Sequence, residues 1–208
     1  MRYPDTLGFV LAGGRARRMG GADKTRIRIG GASILERVVA RLTPQCSGLV
    51  LSIGSEGSPA AATGLPTIAD AIGGYAGPLA GILAGLEWAA ANAQKTEWLA
   101  SVPGDCPFLP RDLLRRLHNA RIKAGAMLAC ASSEGRRHPV IALWPIALRS
   151  DLRRALVEEG LRKVDQFAHR YAIAVAEWPA SPADPFFNVN TPEDAAAAAR
   201  LAEQSPDL

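Results

Sequence analysis

The densest concentration of possible phosphate ligands lies near the N-terminus, in a segment rich in glycine and basic residues. Residues 15–28 hold six of the chain's 24 lysines and arginines and one acid, Asp23. Glycine lacks a Cβ, so backbone N–H groups can approach phosphate oxygens closely, while arginine and lysine add hydrogen bonds and charge. The pattern is neither a Gly-Lys-Ser/Thr loop nor G-x-G-x-x-G. It favours a bound polyanion such as a triphosphate over a turn with solvated cations. The residues concerned are Gly13, Gly14, Arg15, Arg17, Arg18, Gly20, Gly21, Lys24, Arg26 and Arg28.

Two aspartates that follow predicted strands are candidates for binding such an anion, directly or through a metal ion. Asp105 is flanked by glycine and by Cys-Pro, which restrict its backbone, and Asp70 precedes a glycine-rich turn. Mg²⁺ prefers hard oxygen ligands and is typically held by one or two carboxylates together with substrate phosphates. Each aspartate alone is equally well explained as a turn or helix cap. Together with the basic segment they favour a magnesium–nucleotide site in which Asp105 is the metal ligand.

Polar groups near the C-terminus are candidates for binding a second substrate. Asn188 and Asn190 would lie on the same side of a strand, and Thr191 followed by proline is a typical helix start. Arg162 is followed by a lysine, and this basic pair is either solvated or in contact with an anion. We therefore take Asn188, Asn190 and Arg162 as candidate acceptor-binding residues.

The elements that must position these groups alternate between strand and helix through the first 130 residues. This alternation indicates an α/β fold with a mainly parallel sheet and helices on both faces. Ligands of such sheets bind beyond the carboxyl ends of the strands, and Gly13, Ser52, Asp70 and Asp105 all lie there. We expect one domain, residues 1–208, with a flexible tail at 203–208. Strands are predicted at 7–12, 48–53, 66–69, 98–102, 126–131, 139–144 and 171–176, and helices at 33–42, 78–93, 111–123, 148–159, 163–170 and from 191 onward.

Composition argues against several other classes of protein. Hydrophobic residues make up 48% and charged residues 21% of the chain, as in ordinary folded domains. No apolar run approaches the roughly 20 residues of a membrane span, and no signal peptide is recognisable. The basic patch is short and lacks stacking aromatics, which argues against nucleic acid as a partner. Three scattered cysteines fit a cytoplasmic protein, and Cys106 is expected to be a packed thiol rather than the nucleophile of a pair with His138.

The order of the motifs resembles that of the molybdenum cofactor guanylyltransferases over roughly residues 7–200. The basic loop alone is shared with the wider nucleotidyltransferase superfamily, whereas its combination with the later motifs is more specific. The motifs that carry the resemblance are LAGGRARRMGGADK (11–24), Asp70, GPLAG (77–81), PGDCPF (103–108), RHPVIAL (137–143) and NVNTPED (188–194).

The resemblance implies a Rossmann-like, three-layer nucleotidyltransferase fold and a specific reaction. GMP would pass from GTP to molybdopterin with release of pyrophosphate, forming the molybdopterin guanine dinucleotide cofactor. The resemblance makes Asp105 the magnesium ligand and Lys24 a phosphate-binding residue. The positions that match the family's nucleotide-binding residues are Leu11, Ala12, Gly13, Lys24, Asp70 and Asp105.

Two positions bear on the choice of nucleotide. The family often has asparagine at the end of the second strand, where this chain has Ser52, and serine lacks an amide for the base. Related cytidylyltransferases resemble Leu-Ala-Ala-Gly in the first loop, whereas Gly13 here favours guanine.

We expect Asp105, Lys24 and Arg18 to be catalytic, with the two cations on the triphosphate. Alternatives are a cytidylyltransferase or sugar-phosphate nucleotidyltransferase of the same fold and a non-catalytic GTP-binding regulator. A pure binder needs no metal-holding carboxylate, so the presence of both Asp70 and Asp105 argues against the last. Expected partners beyond GTP and molybdopterin are molybdenum-insertion or molybdoenzyme-maturation proteins.

Overall fold

A seven-stranded sheet forms the centre of the fold. The computed structural model describes residues 3–12, 27–53, 63–69, 72 and 77–205. The strands in chain order are β1 (Thr6–Leu11), β2 (Arg28–Ile29), β3 (Ala32–Ser33), β4 (Gly48–Ser52), β5 (Thr67–Ile68), β6 (Trp98–Pro103), β7 (Leu128–Ser133), β8 (Arg136–Pro145) and β9 (Ile173–Trp178). In space the sheet runs β5-β4-β1-β6-β8-β7-β9, and β2 and β3 form a separate hairpin.

The helices begin and end where local sequence signals place them. Ser33 and Glu36 form a capping box that starts the first helix. Pro78 occupies the first turn of the second helix, and the left-handed Gly125 ends the third. Thr191 and Asp194 form a second capping box. The helices are α1 (Ile34–Leu42), α2 (Pro78–Asn92), α3 (Leu113–Ala124), α4 (Arg149–Val157), α5 (Val164–Ala168) and α6 (Pro192–Gln204).

Strand direction confirms the predicted, mostly parallel sheet. Strand β1 pairs in parallel with β4 and β6, β4 with β5, and β7 with β9. Only β8 among the sheet's described strands runs antiparallel, since it pairs that way with both β6 and β7. The carboxyl ends of β1, β4, β5, β6, β7 and β9 therefore lie at one edge of the sheet, which we call the carboxyl edge.

Helices cover the sheet on both faces, which confirms the three-layer architecture. On one face Val10 of β1 packs in a core with Leu42 of α1 and Leu117 of α3. On the other face Phe9 packs with Leu83 of α2 and with α4 and α5. Successive residues of β1 thus enter opposite cores, as the two-residue period of a strand requires. None of the described helices is long and apolar enough to span a membrane.

A third, smaller core lies beside the carboxyl edge. It joins Ile29 of β2 and Ile34 of α1 to Phe108, which follows β6, and to Val189, which precedes α6. The packed face of α6 contributes Ala198. All five side chains are at most 1% exposed, so segments that are far apart in sequence are held together here.

Three features differ from the sequence-based expectation. The β2–β3 hairpin was not predicted, although Gly30 and Gly31 both adopt positive φ, as a tight two-residue turn requires. Strand β8 starts three residues earlier than predicted because Glu134 and Gly135, also at positive φ, turn the chain directly from β7 into β8. Finally, α6 continues through Gln204, so the first two residues of the expected tail are helical.

Candidate functional site

The ends of β1, β4 and β6 meet closely at the carboxyl edge. Leu11 lies opposite Ser52 on one side and Pro103 on the other. Beyond the ladder, the Ala12 N–H donates to the Ser52 carbonyl oxygen at 3.2 Å, and the Gly104 N–H donates to the Leu11 carbonyl oxygen at 3.0 Å. The backbone from which the basic loop departs is therefore fixed by both neighbouring strands.

Gly104 allows the chain after β6 to pass unusually close to the start of that loop. A Cβ at this position would lie 3.1 Å from Ala12 Cα and 3.2 Å from the Leu11 carbonyl oxygen. Both neighbours are backbone atoms that cannot rotate away, so a side chain would push the two segments apart. The glycine thus sets how near Asp105 lies to Leu11 and Ala12.

Asp105 is half-buried, and its backbone is held from the far side of the site. Its carbonyl oxygen accepts a hydrogen bond from the Val189 N–H at 2.9 Å, and Phe108 anchors the same loop in the third core. A carboxylate on such a fixed backbone is a hard oxygen donor of the kind that suits Mg²⁺. No group of three or more His, Cys, Asp or Glu side chains with metal-binding geometry occurs among the described residues.

Some of the residues predicted to bind the nucleotide lie close together in the structure, and others lie outside the described residues. Leu11, Ala12 and Asp105 are adjacent at the carboxyl edge. Ser52 is buried at the end of β4, where its backbone contacts Ala12. The remaining predicted residues, Gly13, Arg18, Lys24 and Asp70, lie outside the described residues.

The segment with Asn188 and Asn190 is not a strand, so the prediction that a strand would align their side chains was wrong. Asp184 and Asp194 bond to the backbone in place of a neighbouring strand. The Phe186 N–H donates to Asp184 Oδ1, and the N–H groups of Asn190 and Thr191 donate to Asp194 Oδ2, all at 2.9 Å. Local side-chain acceptors of this kind compete with strand pairing.

Asn188 nevertheless reaches the Asp105 loop through its side chain. Although Asn188 is an exposed residue, its Oδ1 lies 2.6 Å from the buried Sγ of Cys106. The expectation that Cys106 is a packed thiol is confirmed, whereas its contact with Asn188 was not predicted. Nothing in the spacing of two motifs 82 residues apart signals that they touch.

Arg162 lies at another part of the same edge, near the start of α2. Its guanidinium donates to the carbonyl oxygens of Leu161 and Leu156 at 2.9 and 3.2 Å. Its own carbonyl oxygen is 4.0 Å from where a Gly77 Cβ would lie. Because α2 begins just after the carboxyl end of β5, exposed Arg162 borders the carboxyl edge.

A cysteine–histidine nucleophile pair is not formed. His138 Nε2 lies 2.8 Å from Ser133 Oγ, and its ring packs on Phe186 with centroids 4.8 Å apart. Burial raises the pKa of the Cys106 thiol well above its usual range, and the carboxylates of Asp105 and Asp184 raise it further. A thiol held neutral in this way is a poor nucleophile.

Comparisons with known proteins agree with this geometry. Residues 8–175 match a family model described as the MobA-like NTP transferase domain. A molybdenum cofactor guanylyltransferase from Rhodopseudomonas palustris (strain BisB5) is 56% identical over 200 residues, covering 96% of this chain and 95% of that protein. The protein of the same name from Nitrobacter hamburgensis is 53% identical over 202 residues, covering 97% of each.

Solved structures show the same fold at low sequence identity. Molybdopterin-guanine dinucleotide biosynthesis protein A from Archaeoglobus fulgidus superposes with a TM-score of 0.72 at 24% identity, covering 95% of this chain and 99% of that one. The 4-diphosphocytidyl-2C-methyl-D-erythritol synthase of Anaerococcus prevotii reaches 0.74 at 13% identity, covering 96% of each.

Proposed function

Because this chain belongs to the MobA-like NTP transferase family, with relatives above 50% identity named molybdenum cofactor guanylyltransferase, we propose that it transfers GMP from GTP to molybdopterin. Pyrophosphate is released, and the product is the molybdopterin guanine dinucleotide cofactor. The observation that carries the proposal is the near-complete coverage of both chains at this identity. The convergence of Leu11, Ala12 and the Asp105 loop at one edge supports it.

On the donor side, the nucleotide lies over the ends of β1 and β4. Backbone groups from Leu11 to Gly13 contact the nucleoside, and Asp70 contributes a further contact. Lys24 and Arg18 neutralise the triphosphate, and their charge favours departure of pyrophosphate. Support comes from the backbone of Leu11 and Ala12, which is fixed by hydrogen bonds to both neighbouring strands before any ligand binds. Such preorganised positioning is a main source of rate enhancement in phosphoryl transfer.

Asp105 is the residue that would hold Mg²⁺. Its carboxylate offers one hard oxygen ligand, and Mg²⁺ commonly completes its shell with phosphate and water oxygens. The backbone of Asp105 is fixed, because its carbonyl oxygen accepts from Val189 and the neighbouring Gly104 donates to Leu11. When bound, the ion neutralises charge on the phosphates. Asp105 would hold the ion at a fixed distance from Ala12.

On the acceptor side, Asn188, Asn190 and Arg162 hold the molybdopterin. An oxygen of its terminal phosphate forms a bond to the α-phosphorus of GTP, while the bond from that phosphorus to the bridging oxygen of pyrophosphate breaks. The attacking phosphate is already ionised near neutral pH, so no residue has to remove a proton. The acceptor residues therefore act by placement, with Arg162 adding positive charge for the phosphate.

Cellular location and further partners complete the proposal. A cytoplasmic enzyme fits the free thiols of Cys46, Cys106 and Cys130, which persist in reducing compartments. The product would pass to proteins that insert molybdenum or mature molybdoenzymes.

The deciding experiment is a pyrophosphate-release assay on the purified chain. GTP, CTP and UTP are each supplied with and without molybdopterin and with and without Mg²⁺. Turnover with GTP that needs both molybdopterin and Mg²⁺ is expected. Turnover with CTP instead would identify a cytidylyltransferase, and GTP binding without any pyrophosphate release would identify a non-catalytic binder.

A further inference from the structure

The side chain of Cys106 joins the loop after β6 to the loop before α6, and the proposed reaction gives this thiol no role. The first loop carries Asp105 and the second carries Asn188. A backbone hydrogen bond links Val189 to Asp105 at 2.9 Å, and next to it the Cys106 thiol lies between two acceptors of the second loop. These are Asn188 Oδ1 at 2.6 Å and the Phe186 carbonyl oxygen at 3.7 Å.

We infer that Cys106 is a positioning residue, whose buried thiol orients the amide of Asn188 for the acceptor substrate. This inference rests on the proposed function, because it assumes that Asn188 contacts molybdopterin. Cys106 itself is fully buried and cannot touch substrate. It would act only through the asparagine.

The direction of the contact follows from elementary chemistry. An amide oxygen can only accept, whereas the S–H group of a cysteine can donate, so the contact runs from Cys106 Sγ to Asn188 Oδ1. With Oδ1 turned to the thiol, the two N–H donors on the other branch of the planar amide remain available to a ligand. Phosphate oxygens and pterin carbonyl groups are acceptors that match such donors.

Exposure explains why an anchor is needed. Asn188 is an exposed residue, and an exposed asparagine samples several rotamers and both orientations of its amide. Binding substrate would then require ordering the side chain, and that loss of conformational freedom weakens binding. The buried thiol removes most of that cost in advance.

The test uses four single variants, and the double variant that combines Cys106→Ala with Asn188→Ala, in the pyrophosphate-release assay with GTP and molybdopterin. Cys106→Ala removes the donor, Cys106→Ser keeps a donor, and Asn188→Ala removes the amide. Cys130→Ala is the control, since Cys130 is an equally buried cysteine in the core on the other face of the sheet. Thermal unfolding of each variant reports folding.

Loss of one hydrogen bond predicts a KM for molybdopterin about 3- to 10-fold higher in Cys106→Ala, with the KM for GTP unchanged. Cys106→Ser should restore it, and Cys130→Ala should leave both KM values as in the wild type. In an Asn188→Ala background, Cys106→Ala should cause no further rise, because its effect passes through the missing amide.

A wild-type KM for molybdopterin in Cys106→Ala would overturn the inference, as would an equal rise in Cys130→Ala, a failure of serine to restore binding or an undiminished effect in the Asn188→Ala background. If Cys106→Ala does not unfold cooperatively, Cys106→Val replaces it with the same expectation, since valine fills the space without a donor. Failure of the proposed function is recognised separately, because the wild type would then release no pyrophosphate with molybdopterin.

Discussion

Replacing Gly104 by alanine tests whether the spacing between the β1 and β6 ends controls nucleotide turnover. The new Cβ would lie 3.1 Å from Ala12 Cα and 3.2 Å from the Leu11 carbonyl oxygen, and both distances are shorter than ordinary van der Waals contacts, which start at 3.4 Å. Relief requires a shift of a few tenths of an ångström between two hydrogen-bonded backbone segments. The segments that move apart are those proposed to carry the nucleotide and Asp105.

The size of the effect follows from two terms. Overpacking of this kind costs about 1–3 kcal/mol of the free energy of unfolding, and Tm falls by about 2–4 °C per kcal/mol for a domain of this length. Misplacement of reacting groups by 1 Å costs about 100-fold in rate, so a shift of a few tenths should lower kcat/KM for GTP roughly 3- to 10-fold. Both quantities are measured on one preparation, by thermal unfolding and by pyrophosphate release at saturating molybdopterin.

Gly48→Ala is the matched control, because it adds the same methyl group at the opposite end of the sheet. Its Cβ would meet only the Leu7 Cδ1 atom, at 3.3 Å, and this flexible side chain can move. We expect a smaller loss of stability and an unchanged kcat/KM. If Gly104→Ala turns over GTP like the wild type, the close approach at Ala12 is irrelevant to catalysis and the reasoning fails.

Three further predictions concern single ionisable groups. Asp105→Asn keeps the shape of the side chain but removes its charge, so kcat should fall at least 100-fold while Tm stays near the wild-type value, because the change affects charge stabilisation in the transition state. Lys24→Ala should raise the Kd for GTP about 10-fold in equilibrium titration, and an unchanged Kd would remove Lys24 from the phosphate site. Burial lowers the pKa of His118 to about 4, so the unfolded chain binds more protons between that value and pH 6.5. The His118 contribution to stability should therefore rise by up to about 3 kcal/mol from pH 4 to pH 6.5. In urea unfolding, His118→Gln should remove this part of the rise and leave the part due to His138, whose pKa burial also lowers.

Each of these predictions has a control in the same chain. Asp5→Asn and Lys95→Ala remove exposed charges just before β1 and β6, at the edge opposite the carboxyl edge, and both should leave kcat and the Kd for GTP unchanged. For His118→Gln the control is the wild type, measured over the same pH range. A stability profile of His118→Gln that matches the wild type would show that another group titrates in this range.

The sequence predicted the layers of this fold because they depend on local signals. Apolar runs bounded by glycine or proline located the strands. The capping box at Ser33 and the N-cap Thr191 followed by proline located two helix starts. The antiparallel direction of β8 was not predictable in this way, since apolar periodicity is the same for either direction. The short turn at Glu134 and Gly135, which leads from β7 into β8, was the one local signal of an antiparallel pair.

Site residues were predictable in type but not in arrangement. A carboxylate after a strand, as in Asp105, is recognisable because chain order alone places it at the carboxyl edge. The contact of Cys106 with Asn188 depends instead on how two irregular loops pack. No periodicity specifies such a contact, so only the folded structure shows it.

The small third core explains how distant motifs become one site. The basic segment leaves the sheet at Ala12, which bonds to β4, and the chain returns at Ile27, whose carbonyl oxygen accepts from the Ile34 N–H at 2.9 Å. Ile34 belongs to the same core as Phe108 and Val189. The C-terminal end of the basic segment, the loop with Asp105 and the loop with Asn188 are thus anchored to one another through buried apolar contacts. The N-terminal end is held instead by the hydrogen bond of Ala12 to β4. Any substitution that loosens this core should consequently weaken donor and acceptor binding together, whereas changes at Cys106 should affect the acceptor alone.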